Sequence, residues 1–107
     1  MATDKKYLQF ILEQCGGLTA RAMMGEYVLY YNGKVIGGVY DNRLLIKPTL
    51  SAKALMPEAE YQLPYEGAKK MLLVDDLENG IFLKTLFESM YPELPERKQK
   101  TKKEKEA

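Results

Sequence analysis

Apolar residues recur along this chain with two different periods, and the switch between them marks the elements. Over residues 4–15, Leu8, Ile11, Leu12 and Cys15 fall at i, i+3, i+4 and i+7, one helical stripe with Tyr7 beside it. Thr3 is placed to cap this helix, Asp4 suits its positive end, and Gly16-Gly17 stops it. Residues 18–24 read as extended and lead into Gly25. From there long apolar stretches are cut by Asn32-Gly33 and Asp41-Asn42. Asn-Gly suits a two-residue type I′ turn, which needs positive φ at both central positions. It predicts a hairpin of 26–31 with 34–39. Asp41-Asn42 predicts a second hairpin leading into 43–47, which Pro48 ends because it cannot donate to a ladder.

Two-residue loops fix a register. Tyr31 then faces Lys34, Tyr30 faces Val35, Leu29 faces Ile36 and Val28 faces Gly37. Across the second loop Tyr40 faces Arg43, Val39 faces Leu44, Gly38 faces Leu45 and Gly37 faces Ile46. Alternation sorts the side chains. One face holds Val28, Tyr30, Val35, Val39, Leu44 and Ile46 and is expected to be core. The other holds Tyr27, Leu29, Tyr31, Lys34, Ile36, Tyr40, Arg43, Leu45 and Lys47. Gly37 and Gly38 lie mid-strand, where glycine is unfavourable; a bulge or a close approach would account for them. A bulge there would exchange the two faces on one side of it.

The rest of the chain completes a fold class. Residues 49–57, TLSAKALMP, read as a short helix capped by Thr49 and stopped by Pro57. An irregular connection follows over 58–69, then a short strand over 70–76. Asp76 is expected to cap a last helix to about Tyr91, with Phe82, Leu83, Leu86, Phe87 and Met90 as its apolar face. The expected fold is α+β and two-layered. Its antiparallel sheet runs in the chain order α-β-β-β-β-α-β-α, with the helices on one face. Residues 1–92 form the domain, and 93–107 a basic, disordered tail.

Composition narrows the chemistry. Net charge is +1, but residues 96–107 alone carry +3, leaving the other 95 residues at −2. The body is therefore no basic nucleic-acid binder by bulk charge. No apolar run reaches the roughly 20 residues that span a bilayer, so no membrane partner is expected. One cysteine, and no signal core at the N-terminus, point to the cytoplasm. With no histidine, the commonest general base and nitrogen metal ligand are missing. Cys15, on the helical stripe, reads as a buried thiol. Asp75-Asp76 reads as a cap with a solvated neighbour rather than a metal pair. The glycines match neither GxGxxG nor a Walker loop. Met23, Met24, Met56, Met71 and Met90 read as core filler in preference to an adaptable docking groove. No catalytic, cofactor or metal residues are assigned, and no enzyme is expected.

What remains is the mixed sheet face. Tyrosine and arginine join large contact area to a polar tip and favour protein interfaces. Aromatics among cations also stack bases and hold phosphates, and an ordinary half-exposed sheet would look the same. The candidate interaction surface is Tyr27, Tyr31, Lys34, Tyr40, Arg43 and Lys47, with Arg21 at its edge. Its expected partner is another protein, a transcription regulator or a second copy of this chain, with nucleic acid as the alternative.

Arg21-Ala22-Met23-Met24-Gly25-Glu26-Tyr27, then Leu29-Tyr30, Asn32-Gly33-Lys34 and Asp41-Asn42-Arg43-Leu44-Leu45-Ile46-Lys47, resembles the signature of the TfoX/Sxy N-terminal domain. The likeness covers roughly residues 5–92. Met24 stands where that family usually has Phe, and Val28 where Gly is common. The resemblance implies a small α+β domain with an antiparallel sheet. It also implies a regulator of natural competence that acts with the cyclic-AMP receptor protein at promoters, and no catalytic residues. Relatives of full length carry a second, C-terminal domain, for which these residues show no counterpart. Arg21 is the residue the likeness singles out, either as a strand-edge ion pair or as a binding group.

Overall fold

Three tight turns organise the sheet. The computed structural model describes residues 3–75 and 77–95. Strands β1 (Leu18–Met23), β2 (Glu26–Tyr31), β3 (Lys34–Val39) and β4 (Leu44–Ile46) form an antiparallel meander. The residues joining them, Met24-Gly25, Asn32-Gly33 and Asp41-Asn42, all have φ between 49° and 91°. That is the sign pattern of type I′ turns, whose twist matches the flanking strands. Both expected hairpins form, and Met24-Gly25 closes one more. Helix α2 (Leu50–Leu55), strands β5 (Tyr61–Gln62) and β6 (Met71–Leu73), helix α3 (Gly80–Met90) and a 3-10 turn (Tyr91–Glu93) complete the described chain after helix α1 (Lys5–Gln14). The sheet order is β1-β2-β3-β4-β6-β5, an α+β fold as expected. Strand β5 lies in what reads from sequence as irregular connection; two residues are too few to show a period.

The helix caps sit close to their expected places, with two shifts. Thr49 caps α2, its hydroxyl accepting from the Ala52 N–H at 3.1 Å. At α1 the cap is Asp4, accepting from the Lys6 N–H at 2.9 Å, and not Thr3. Thr3 is buried and ties the chain to the sheet, donating to the Glu26 carboxylate and accepting from the Asn42 N–H. Helix α3 starts at Gly80 with Asn79 as its cap. The expected cap, Asp76, lies outside the described residues. A Cβ at Gly80 would come within 2.6 Å of the Gln14 carbonyl, so the helix start abuts the end of α1 at a point where only glycine fits.

The register departs from expectation at one place, and the departure turns over half the sheet. Tyr31 faces Lys34 and Tyr30 faces Val35, but Leu29 then faces Gly37, Val28 faces Gly38 and Tyr27 faces Val39. Ile36 is the extra residue of a β-bulge. Its carbonyl is not lost, because it accepts from the Lys47 N–H at 3.0 Å. Beside it stands Gly37, where a Cβ would lie 2.1 Å from the Leu45 carbonyl oxygen. Strands β3 and β4 approach there as only glycine allows. On the β4 side of the bulge, Val39, Leu44 and Ile46 are core as expected. On the β2 side the faces are exchanged: Leu29, Tyr31 and Ile36 are core, while Val28, Tyr30 and Val35 are only half-buried.

All three helices contribute to one cluster with this face. Leu8 and Ile11 of α1, Ala52 of α2, and Leu83, Leu86, Phe87 and Met90 of α3 join Leu29, Tyr31, Ile36, Val39, Leu44, Ile46 and Leu72. Cys15 is buried among them as expected, and burial pushes its thiol pKa up, away from the reactive thiolate. Leu94 is also part of the cluster, so packing continues past residue 92; residues 96–107 lie outside the described chain. Among the described residues no helix is long and apolar enough to cross a membrane.

Candidate functional site: the cleft on the open sheet face

The exchange of faces redistributes the seven candidate residues. Tyr31 is 2% exposed and donates its phenol O–H to the Glu88 carboxylate. Burial first, and then that carboxylate, push its pKa up to about 12. Its ring lies 5.7 Å from Phe87 and 6.2 Å from Tyr91, centroid to centroid. Lys34 bends over Tyr91, its Nζ 4.3 Å from the ring centroid and 3.3 Å from the carbonyl oxygen. Tyr27 is half-buried against the helix-side core. Lys47 is half-buried at the end of β4. Arg21 is exposed in β1, opposite Val28, and shares the open face with Tyr40 and Arg43. The seven residues therefore do not form one face.

Arg43 is a clasp. Its Nε donates to the Tyr40 carbonyl at 3.1 Å, and its Nη1 to Gln62 Oε1 at 2.8 Å and the Leu63 carbonyl at 3.1 Å; Nη2 reaches the Pro64 carbonyl at 3.5 Å. This planar fork fastens the loop between β5 and β6 to the second hairpin. It thereby sets Tyr65 beside Tyr40, ring centroids 6.0 Å apart. Tyr40 is 6% exposed and covers Gly38, where a Cβ would sit 2.4 Å from its ring and 2.7 Å from the Tyr27 carbonyl. Burial first, then Tyr65 and Glu26, push the Tyr40 pKa up.

Opposite these two rings stands the β1–β2 turn. Met23 and Met24 form the other bank of a cleft of about 450 Å³, completed by Glu26, Tyr40 and Tyr65. Glu26 is held from behind, its carboxylate accepting from the Thr3 hydroxyl and from the Asp41 N–H. Met24 is 99% exposed and has φ of 53°. An L-residue in this conformation costs about 1–2 kcal/mol, which Gly, Asn or Asp largely avoid. Met23 and Met24 are thus not the core filler their type suggests; Met90 is. Residue type favoured the core over a docking groove for both, and gave no sign of Tyr65, at 56% exposed. The legible sign was a Met-Gly pair between two extended runs, which is the position of a two-residue turn.

Chemically the cleft offers apolar contact, two polarizable thioethers, two aromatic rings and a recessed carboxylate. It suits an apolar or aromatic side chain rather than a reacting centre. Among the described residues, no three His, Cys, Asp or Glu side chains come together as a metal site.

Comparison with known proteins places the chain in a family. The family described as "TfoX N-terminal domain" matches residues 11–101. A curated relative, "Uncharacterized 12.7 kDa protein in trpE 5'region" of Spirochaeta aurantia, is 42% identical over 80 residues, covering 72% of this chain and 70% of its own. No solved structure matches. The stretch 21–27, which carries the sequence likeness, spans the outer half of β1, the Met24-Gly25 turn and the start of β2, and includes the cleft-lining Met23, Met24 and Glu26. By the extent of that match, the chain belongs to the TfoX N-terminal domain family.

Proposed function

We propose that this domain is a non-catalytic regulatory module of the cytoplasm, linked to competence-type control of transcription, that docks a transcription regulator at the open-face cleft. The observation that carries the reading is Met24. A wholly exposed apolar side chain, held in a left-handed conformation beside two aromatic rings, costs stability and contributes nothing to the core. Strain of this kind persists where the position has a use, and a partner's apolar side chain laid between Met24 and Tyr65 supplies one. Methionine fits the task because its thioether adapts to irregular surfaces. The family supports the regulatory class. Arg21 and Tyr40 remain in the proposed surface; Met23, Met24 and Tyr65 join it. Lys34 and Arg43, the cations the sequence offered to phosphates, are engaged within the fold.

The test is titration calorimetry of the full chain against purified cyclic-AMP receptor protein from the same organism, alone and on promoter DNA. Tyr65→Ala and Met24→Asn should each lower affinity about tenfold or more, as hot-spot truncations do, while Glu13→Ala on α1 should not. Equal affinity for all variants would remove the cleft from the interface. Binding to bare DNA that falls steeply with salt would instead favour the nucleic-acid alternative.

A further inference from the structure

Among the described residues, strand β1 ends the sheet on one side, and Arg21 is its one charged side chain. The opposite edge is β5, two residues long, which is itself a protection. Strand β1 is six residues, LTARAM, without proline or lysine, and its pairing with β2 runs unbroken from Leu18 to Met23. The direction of its free backbone groups follows from the ladder. The Gly17 carbonyl accepts from the Asn32 N–H at 3.0 Å. With Leu18 facing Tyr31 and each later residue in step, Thr19, Arg21 and Met23 also bond β2. Leu18, Ala20 and Ala22 therefore turn their N–H and C=O groups away from the sheet. Their side chains are two alanines and a leucine, small enough for close approach of another strand.

We propose that β1 pairs antiparallel with β1 of a second copy, continuing the sheet across a two-fold axis at Ala20. The sequence selects this register. With Ala20 on the axis, Ala20 faces Ala20 of the second copy and Leu18 faces its Ala22, so every outward backbone group of the strand finds a partner. Between them Arg21 faces Thr19 of the second copy. Moving the axis to Arg21 would set two guanidinium groups opposite each other in a non-hydrogen-bonded pair, about 4.5 Å apart at Cα, where like charges repel. It would also leave Leu18 opposite Met24, whose φ of 53° is not that of a strand. Moving the axis to Thr19 leaves Ala22 opposite Gly16, beyond the strand's end. The interface is isologous and closes as a dimer. It leaves the cleft unfilled and joins two open faces into one, so it stands whether or not the cleft docks a regulator.

Charge swaps at Thr19, which is exposed on the open face, test both the contact and its register. Sedimentation velocity of the full chain over a range of concentrations should show a monomer–dimer equilibrium. Thr19→Glu, facing Arg21, should tighten the dimer several-fold, and Thr19→Arg should weaken it by a similar factor. Adding Arg21→Glu to Thr19→Arg should restore it. Ala20→Pro removes an outward N–H that no described strand of the same chain uses, and should abolish the dimer with the thermal melt showing an intact fold. A chain that stays monomeric throughout, or a dimer indifferent to the charge at residue 19, would overturn the proposal.

Discussion

Replacing Met24 by Asn should make the protein more stable. The magnitude follows from two facts. At φ of 53° an ordinary L-residue carries about 1–2 kcal/mol of steric strain, most of which Asn avoids. At 99% exposure the methionine has almost no buried area to lose. The gain should be about 1 kcal/mol, or a rise in Tm of about 4–8 °C for a domain near this size. The chain supplies its own control. Asn32-Gly33, with φ of 49° and 91°, closes the next hairpin in the same geometry, so Asn32→Met should lose about what Met24→Asn gains. Urea denaturation gives both values, and an unchanged m confirms that only stability moved. A Met24→Asn protein that is no more stable, or less, would refute the strain argument. The methionine would then be making contacts that its exposure does not show. The same variant is expected to bind its partner less well, and a mutation that stabilises while it disables marks a position kept for use.

Three further outcomes follow from the site and the core. Arg43→Ala should cost about 1.5–3 kcal/mol, the value of hydrogen bonds to a charged group, and limited proteolysis should then cut within residues 63–69. Arg43→Lys should not restore the loop, since one ammonium cannot span Gln62, Leu63 and Pro64. Gly38→Ala should cost about 1–3 kcal/mol as an overpacking change. The Tyr27 carbonyl at 2.7 Å is backbone and cannot yield, so Tyr40 should be displaced, and its near-UV circular dichroism altered. Finally, the Tyr31 phenol is held protonated in the fold up to about 12, against about 10 when unfolded. Its contribution is therefore complete below pH 10 and is lost as pH rises from about 10 through about 12. Tyr31→Phe should flatten that alkaline fall in the urea midpoint. It will not abolish it, because burial raises Tyr7 and Tyr40 in the same direction.

The parts of the fold legible in the sequence are those with a local cause. Asn32-Gly33 and Asp41-Asn42 announce their turns because few dipeptides tolerate positive φ twice, and the stripe of α1 shows because it alternates with lysine, glutamine and glutamate. Strand β2 offers no such contrast. EYVLYY is apolar on both faces, so only the register could say which side is core. That register depended on a bulge at Ile36, beside Gly37, where the Leu45 carbonyl on the next strand occupies the space a Cβ would need. The two glycines showed that something happens there. They could not show which side of the bulge would turn over.

The seven candidate residues divide between core and surface for a related reason. Tyrosine, lysine and arginine combine an apolar body with a polar tip, and such side chains serve equally at an interface or as fasteners under a helix. Tyr31 with Glu88, Lys34 with Tyr91, and Arg43 with the loop at Gln62 are fasteners. Methionine is expected inside, yet here it stands at the tip of a turn. Each local preference, for αL residues at 24 and for apolar burial at 23 and 24, is violated in the same two residues. A core packing error would not place the violations on one bank of a cleft whose other bank is held in position by an arginine with every nitrogen engaged. Local rules that fail together, at a place the rest of the fold holds still, support the proposed docking site.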